Sequence, residues 1–137
     1  GWAHTASRVA AWGATDVVVA LGVNDWGLAG ATVTYTAAQY GAALVAFAAA
    51  VNAAIPSAHV WVVTPLVTNQ EAATNTNTET LDDFRGAADS ALASVAYATC
   101  INGLDLVEAS GISGDGVHPI NAGHEQFADN FALAVGL

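Results

Sequence analysis

Apolar positions follow two rhythms along the 137 residues of this chain. Continuous, largely β-branched runs stand at 16–21, ending at Gly22, and at 59–64, stopped by Pro65. Each has the pattern of a strand buried on both faces of a parallel sheet. A shorter run at 99–104 predicts a third strand. Between the first two runs, Tyr40, Leu44, Phe47, Val51 and Ile55 recur at helical spacing within 35–54, and Pro56 marks the stop. Within 80–96, Leu81, Phe84, Ala88, Leu92 and Val95 form one apolar stripe. Near the end, Asn121 is expected to cap a helix whose Phe127, Phe131 and Val135 face inward. With a helix before the first strand, helices and strands alternate, which implies right-handed crossovers and an α/β, three-layer, doubly wound parallel sheet. The Thr- and Asn-rich stretch 67–80 reads as a polar loop.

Length and composition narrow this picture without changing it. A single domain of 137 residues is long enough to bury a core without disulfides or metals. Hydrophobic residues make up 54% and charged residues 10%, which argues against disorder. The longest apolar stretch, 41–55, is broken by Asn52 and is shorter than the roughly 20 residues of a bilayer span, so it reads as a packed helix. Two arginines and no lysine stand against 12 acidic residues, a formal charge of -10. Such a surface repels nucleic acid and anionic membranes and suits a neutral substrate. Low lysine and high acidity also suit a secreted protein, without fixing a compartment. Cys100 lacks an internal partner and reads as a small buried hydrophobe. With no Met and a start at Gly1, the chain is expected to be a processed, excised or partial product.

Two polar motifs carry the candidate chemistry. Gly22-Val23-Asn24-Asp25 directly follows the first predicted strand, and Asp115-Gly116-Val117-His118-Pro119 follows the third through a loop. Ligands of open α/β sheets bind outside the carboxyl ends of the strands, which is where both motifs fall. An imidazole activates a serine hydroxyl best when a carboxylate fixes its tautomer, and a neutral amide can donate to a developing oxyanion. Asn24 and Asp25 have a plainer reading as an Asx-type turn, and Asp115 and His118 as a surface turn and helix cap. A metal site on His118, His124 and Asp129 lacks a well-placed third ligand.

Taken together, in this order and followed by Asn121-Ala122-Gly123-His124 and an apolar helix, the two blocks resemble the SGNH (GDSL-type) hydrolase family. The resemblance runs over most of the chain and about the last two thirds of a typical member. It implies a flavodoxin-like fold and serine hydrolysis of carboxylic esters, acyl or acetyl, of lipids, sugars or small alcohols, with no metal or organic cofactor. By the same resemblance His118 is the base, Asp115 orients it, and Asn24 with Gly1 lines the oxyanion hole. Asp25 is expected to anchor the turn that aims Asn24, and Trp26 to line the substrate pocket.

One block of the family pattern is missing. No Gly-Asp-Ser, the block that holds the family's nucleophile on its first strand, occurs in this sequence. Ser7 lies in a predicted helix and Ser113 in a loop, neither at the sharp strand-end turn that exposes a nucleophile. The sheet is therefore expected to lack its first strand or strands, and the chain alone to be inactive and poorly soluble. The nucleophile is then expected on an N-terminal segment or a partner chain that completes the sheet. The alternative is a catalytically inactive module that serves structure or binding in a larger assembly.

Overall fold

A computed structural model describes residues 2–27 and 35–137. In chain order the elements are α1 (Trp2–Ala11), β1 (Asp16–Ala20), α2 (Val23–Trp26), α3 (Ala37–Ala54), β2 (His59–Val63), α4 (Leu81–Leu92), β3 (Ala98–Ile101) and α5 (Asn121–Val135). Short 3-10 turns at Gly103–Asp105 and Ala109–Gly111 lie between β3 and α5. The strands form one parallel sheet in the order β1-β2-β3, with Val18 opposite Trp61 and Val62 opposite Cys100. The expected α/β class and parallel sheet are therefore what the chain adopts.

Alternation along the strands divides the core in two. Val17, Val19, Val60 and Val62 point to one face, where they meet Tyr40, Leu44, Phe47 and Val51 of α3 and Leu81, Phe84, Ala88 and Leu92 of α4. Burying each large side chain of this set stabilises the fold by about 1.5–3 kcal/mol. Both helices start on a complete capping box, Thr36 with Gln39 and Thr80 with Asp83. The hydroxyl satisfies an otherwise orphaned amide of the first turn, and the residue three positions on reaches back to the cap. By length and composition α3 is able to cross a membrane, yet its apolar face is spent on this core. On the opposite face Val63 and Ile101 meet Phe127, Phe131 and Val135 of α5, and Trp61 meets Phe131 edge to face at 6.5 Å.

Three expectations change. The first strand is buried on one face only. Val17 and Val19 are buried, whereas Val18 is 47% exposed, because α5 covers β2 and β3 and leaves that side of β1 open. Among the described residues β1 also has no neighbour along its outer edge. The third strand stops at Ile101, because the Asn102 side chain accepts from the Leu104 amide and turns the chain into a 3-10 helix. Asn121 is the first residue of α5 rather than its cap. The cap position belongs to Ile120, whose amide donates to the Gly111 carbonyl.

Candidate active site

The chain leaves β1 through Leu21 and Gly22, and it can do so because position 22 is a glycine. Its φ is +129°, and a Cβ there would lie 2.7 Å from the Tyr40 hydroxyl and 2.9 Å from Pro65. Only glycine accepts both the backbone angle and the contact. The single turn α2 follows, closed by the Trp26 amide donating to the Gly22 carbonyl at 2.8 Å. Tyr40 pins the strand end by donating to the Leu21 carbonyl at 2.8 Å, and its burial pushes the phenol's pKa up, so it stays neutral. This turn displays Asn24 at the surface, and among the described residues its side-chain amide has no hydrogen-bond partner. It is free to donate.

Trp26 is not a pocket wall. It is 2% exposed, belongs to the main core, and donates its indole N–H to the Glu79 carbonyl at 2.8 Å. One residue on from the displayed Asn24, the helical turn points inward, and a large indole with a satisfied N–H is suited to that position. The Glu79 carboxylate in turn accepts from the Ala37 amide at 2.9 Å, so Trp26 and Glu79 tie the Asn24 turn to the starts of α3 and α4. Asp25 lines the cleft beside Asn24, and its carbonyl accepts from the Tyr35 amide at 2.9 Å.

The other half of the site is a tight loop. Ile112 and Pro119 form an antiparallel bridge, the Ser113 amide donates to the His118 carbonyl at 2.8 Å, and Gly116 turns the chain at φ +77°. Asp115 organises the interior of this loop. Its Oδ1 accepts from Ser113 Oγ at 2.6 Å, from the Val117 amide at 2.9 Å and from the His118 amide at 3.0 Å. Its Oδ2 lies 2.8 Å from His118 Nδ1. An ionised carboxylate only accepts, so this pairing assigns the proton to Nδ1 and leaves Nε2 with its lone pair. The His118 amide, the Ser113 hydroxyl, the His118 ring and the Val117 amide together hold the Asp115 carboxyl well below the usual carboxylate range. Both side chains face solvent, His118 at 73% and Asp115 at 52%.

A third segment, 64–71, holds the loop from beneath, and nothing in the sequence reading assigned it a role. Arg85 of α4 is buried, donates Nε to the Pro65 carbonyl and Nη2 to the Leu66 carbonyl, and forms a two-pronged pair with Glu71 at 2.7 and 2.9 Å. Glu71 also accepts from the Thr68 amide at 2.8 Å. The segment so fixed includes Asn69, whose amide donates to the Gly116 carbonyl at 2.9 Å and whose side chain occupies the space a Cβ on residue 116 would need. A signal for this brace was present. One of only two arginines in the chain follows Phe84 on an apolar helix stripe, and a cation placed there needs a buried partner.

The segments converge on a cleft of about 210 Å³ at the carboxyl ends of β1 and β2. Asn24 and Asp25 line it from one side, Val117 and His118 from the other, and Leu21, Pro65 and Leu66 supply apolar surface. Larger hollows lie elsewhere, of about 300 Å³ beside Asn69 and Ser113 and about 310 Å³ beside Cys100, but neither is lined by a histidine. Asp115, His118 and Asn24 thus lie at the same end of the sheet, whereas Gly1 lies outside the described residues. Among the described residues no three histidine, cysteine or carboxylate side chains gather as a metal site, and His124 and Asp129 do not join His118. Ser7 is in α1, and the Ser113 hydroxyl is committed to Asp115.

No family model and no curated protein matches the sequence. Solved structures do match. The chain is similar to a carbohydrate esterase family 3 protein from Talaromyces cellulolyticus, with a TM-score of 0.67 and 18% identity over 97% of this chain and 65% of that one. It is similar to a candidate GDSL-like lipase from Bacteroides ovatus, with a TM-score of 0.71 and 14% identity over 96% of this chain and 38% of that one. A carbohydrate esterase family 2 enzyme with a carbohydrate-binding domain, from Corynascus thermopiles (Myceliophthora fergusii), has a TM-score of 0.65 and 26% identity over 90% of this chain and 38% of that one. The chain therefore spans less than two thirds of the length of each. What these likenesses show is the fold, and it is the fold that the two sequence blocks implied.

Proposed function

We propose that this chain, whose fold is that of SGNH/GDSL-type esterases and lipases, carries the base and oxyanion half of a serine-type hydrolase of carboxylic esters. The observation that carries the proposal is the shared cleft. A base whose Nε2 is free, oriented by an ionised carboxylate, faces an amide donor, and among the described residues neither group has another partner. In the reaction His118 Nε2 takes the proton of an attacking serine hydroxyl and returns it to the leaving alcohol. Asp115 holds the ring and stabilises the imidazolium without taking the proton. Asn24 donates to the oxyanion of the tetrahedral intermediate, a contact of a kind worth about 3 kcal/mol of barrier. Gly1 is the proposed second donor.

The nucleophile is proposed to come from polypeptide outside these 137 residues, on a strand pairing along the outer edge of β1. Its support is the open edge of β1 and the exposed apolar surface around it, Val18 at 47% and Leu21 at 53%. Residue types favour a neutral substrate, since no lysine or arginine lines the cleft and two carboxylates stand in or beside it. Esters of sugars fit best, in keeping with the carbohydrate esterases among the structural neighbours.

The test is a polypeptide extended N-terminally with its natural sequence. The extended protein is expected to hydrolyse p-nitrophenyl acetate and to be labelled by a fluorophosphonate probe, whereas residues 1–137 alone do neither. An extended protein that is folded and soluble yet silent in both assays would sink the enzyme reading in favour of a structural or binding module.

A further inference from the structure

The two oxygens of Asp115 have different duties, and the division depends on a residue outside the pair. Oδ1 accepts three hydrogen bonds, from the Ser113 hydroxyl and the amides of Val117 and His118, at 2.6, 2.9 and 3.0 Å. Oδ2 accepts one, from His118 Nδ1 at 2.8 Å. The two amides belong to the loop backbone and come with any sequence that makes this turn. Ser113 does not. It reaches Asp115 from the strand-like side of the loop, where its own amide is paired across to the His118 carbonyl at 2.8 Å, and its hydroxyl makes the shortest contact the carboxylate has.

We propose that Ser113 is a positioning residue for the His118 base: by occupying Oδ1 it fixes the rotation of the Asp115 carboxylate so that Oδ2 alone meets Nδ1. The physical need for it follows from exposure. His118 and Asp115 both face water, and an exposed ion pair between side chains is weakly held, because solvent competes for each oxygen and each ring nitrogen. A buried orienting aspartate is held in place by its surroundings, whereas this one must be held by hydrogen bonds. Two amide donors on Oδ1 leave the carboxylate plane free to rock about them. A third donor from the opposite wall of the loop removes that freedom, and charge-assisted bonds of this length are the strong ones. Without the Ser113 hydroxyl the carboxylate swings toward water, and His118 reverts to the Nε2–H tautomer that a free imidazole prefers, with its proton on the nitrogen that should accept.

This inference takes its functional meaning from the proposed hydrolase, but its central readout does not require activity. These 137 residues contribute four histidines, and the signal lost in His118→Gln identifies His118 in the imidazole nitrogen spectrum of the N-terminally extended protein labelled with 15N. His118 is expected to show the Nδ1–H tautomer. Ser113→Ala should shift it toward Nε2–H and lower kcat about tenfold with KM within about twofold, and Ser113→Thr, which keeps the hydroxyl, should restore both. The other histidine signals report whether each variant remains folded. A wild-type His118 in the Nε2–H tautomer overturns the proposal without any variant. So does a folded Ser113→Ala protein whose His118 tautomer is unchanged, and so does a Ser113→Thr protein that behaves like Ser113→Ala. A tautomer response to Ser113→Ala in a protein that no fluorophosphonate labels would uphold the role of Ser113 and reject the hydrolase.

Discussion

The two halves of the cleft are held in opposite ways. Asn24 stands on a single helical turn that has almost no structure of its own, and its position is set from below by buried groups: Trp26 in the core, Tyr40 on the Leu21 carbonyl, Glu79 between two helix starts. His118 stands on an exposed loop that is set from within by polar groups: four contacts to one aspartate and a bridge between Ile112 and Pro119. The donor is located by packing and the base by hydrogen bonds. Damage to the first half should therefore appear as lost stability, and damage to the second as lost chemistry in a protein that still folds.

The sharpest test of that contrast is His118→Ala in the N-terminally extended protein. Removing the base of a serine triad costs on the order of 10⁶ in kcat. At 73% exposure the imidazole contributes little to packing, so the urea midpoint should stay where it is. Trp26→Ala is its mirror image and the next largest effect. Emptying a site that is 2% exposed, and orphaning the Glu79 carbonyl, should cost about 3–5 kcal/mol by urea denaturation. If Trp26→Ala unfolds no more readily than wild type, the Asn24 turn is not held by the core, and the contrast fails.

The same difference governs what could be read from the sequence. Helical stripes, strand runs and the two motif blocks were legible because burial and periodicity write them into neighbouring residues. Tyr40, Phe47 and Phe84 fall where their spacing put them, in the core. Trp26 was misplaced, since proximity to Asn24 in sequence does not say which way a one-turn helix faces. The exposed side of β1 was hidden for a related reason: a β-branched run looks the same whether one face or both are covered, and only the position of α5 over β2 and β3 decides. Arg85 on an apolar stripe announces a buried partner, but the route of the brace from Arg85 to Asn69 is not legible, because its members lie on different elements and meet only through the fold.

Gly116→Ala tests the joint between the brace and the loop. The residue has φ +77°, and its missing Cβ would collide with the Asn69 side chain, so alanine adds both backbone strain and a clash, together about 1–3 kcal/mol. Because the collision is local, the expected loss of stability is smaller than for Trp26→Ala, while the His118 Nδ1–H signal should broaden or move. An alanine variant with wild-type stability and an unchanged imidazole spectrum would show that the loop does not rest on Asn69.

The smallest expected effect concerns acid, and it separates the brace from the loop it supports. Burial pushes the Glu71 carboxyl up, but the Arg85 hydrogen bonds and charge, with the Thr68 amide, outweigh it and hold the group below its ordinary value of 4.5. A carboxyl whose folded pKa is depressed contributes stability that is fully present above the unfolded value and is lost as pH falls through the folded one. The Arg85–Glu71 contribution should therefore be constant near neutrality and fade below about pH 4.5. Because Glu71 is 35% exposed, solvent screening keeps it to about 1 kcal/mol. Asp115, Asp16 and Asp83 are depressed too, so the slope of the wild-type protein alone mixes four groups. The difference in urea midpoint between wild type and Glu71→Gln isolates one of them: it should be flat from pH 7 to pH 5 and narrow toward pH 3. A difference that widens with acid would mean that burial dominates at Glu71, and that Arg85 holds the 64–71 segment through its carbonyl contacts rather than through its charge.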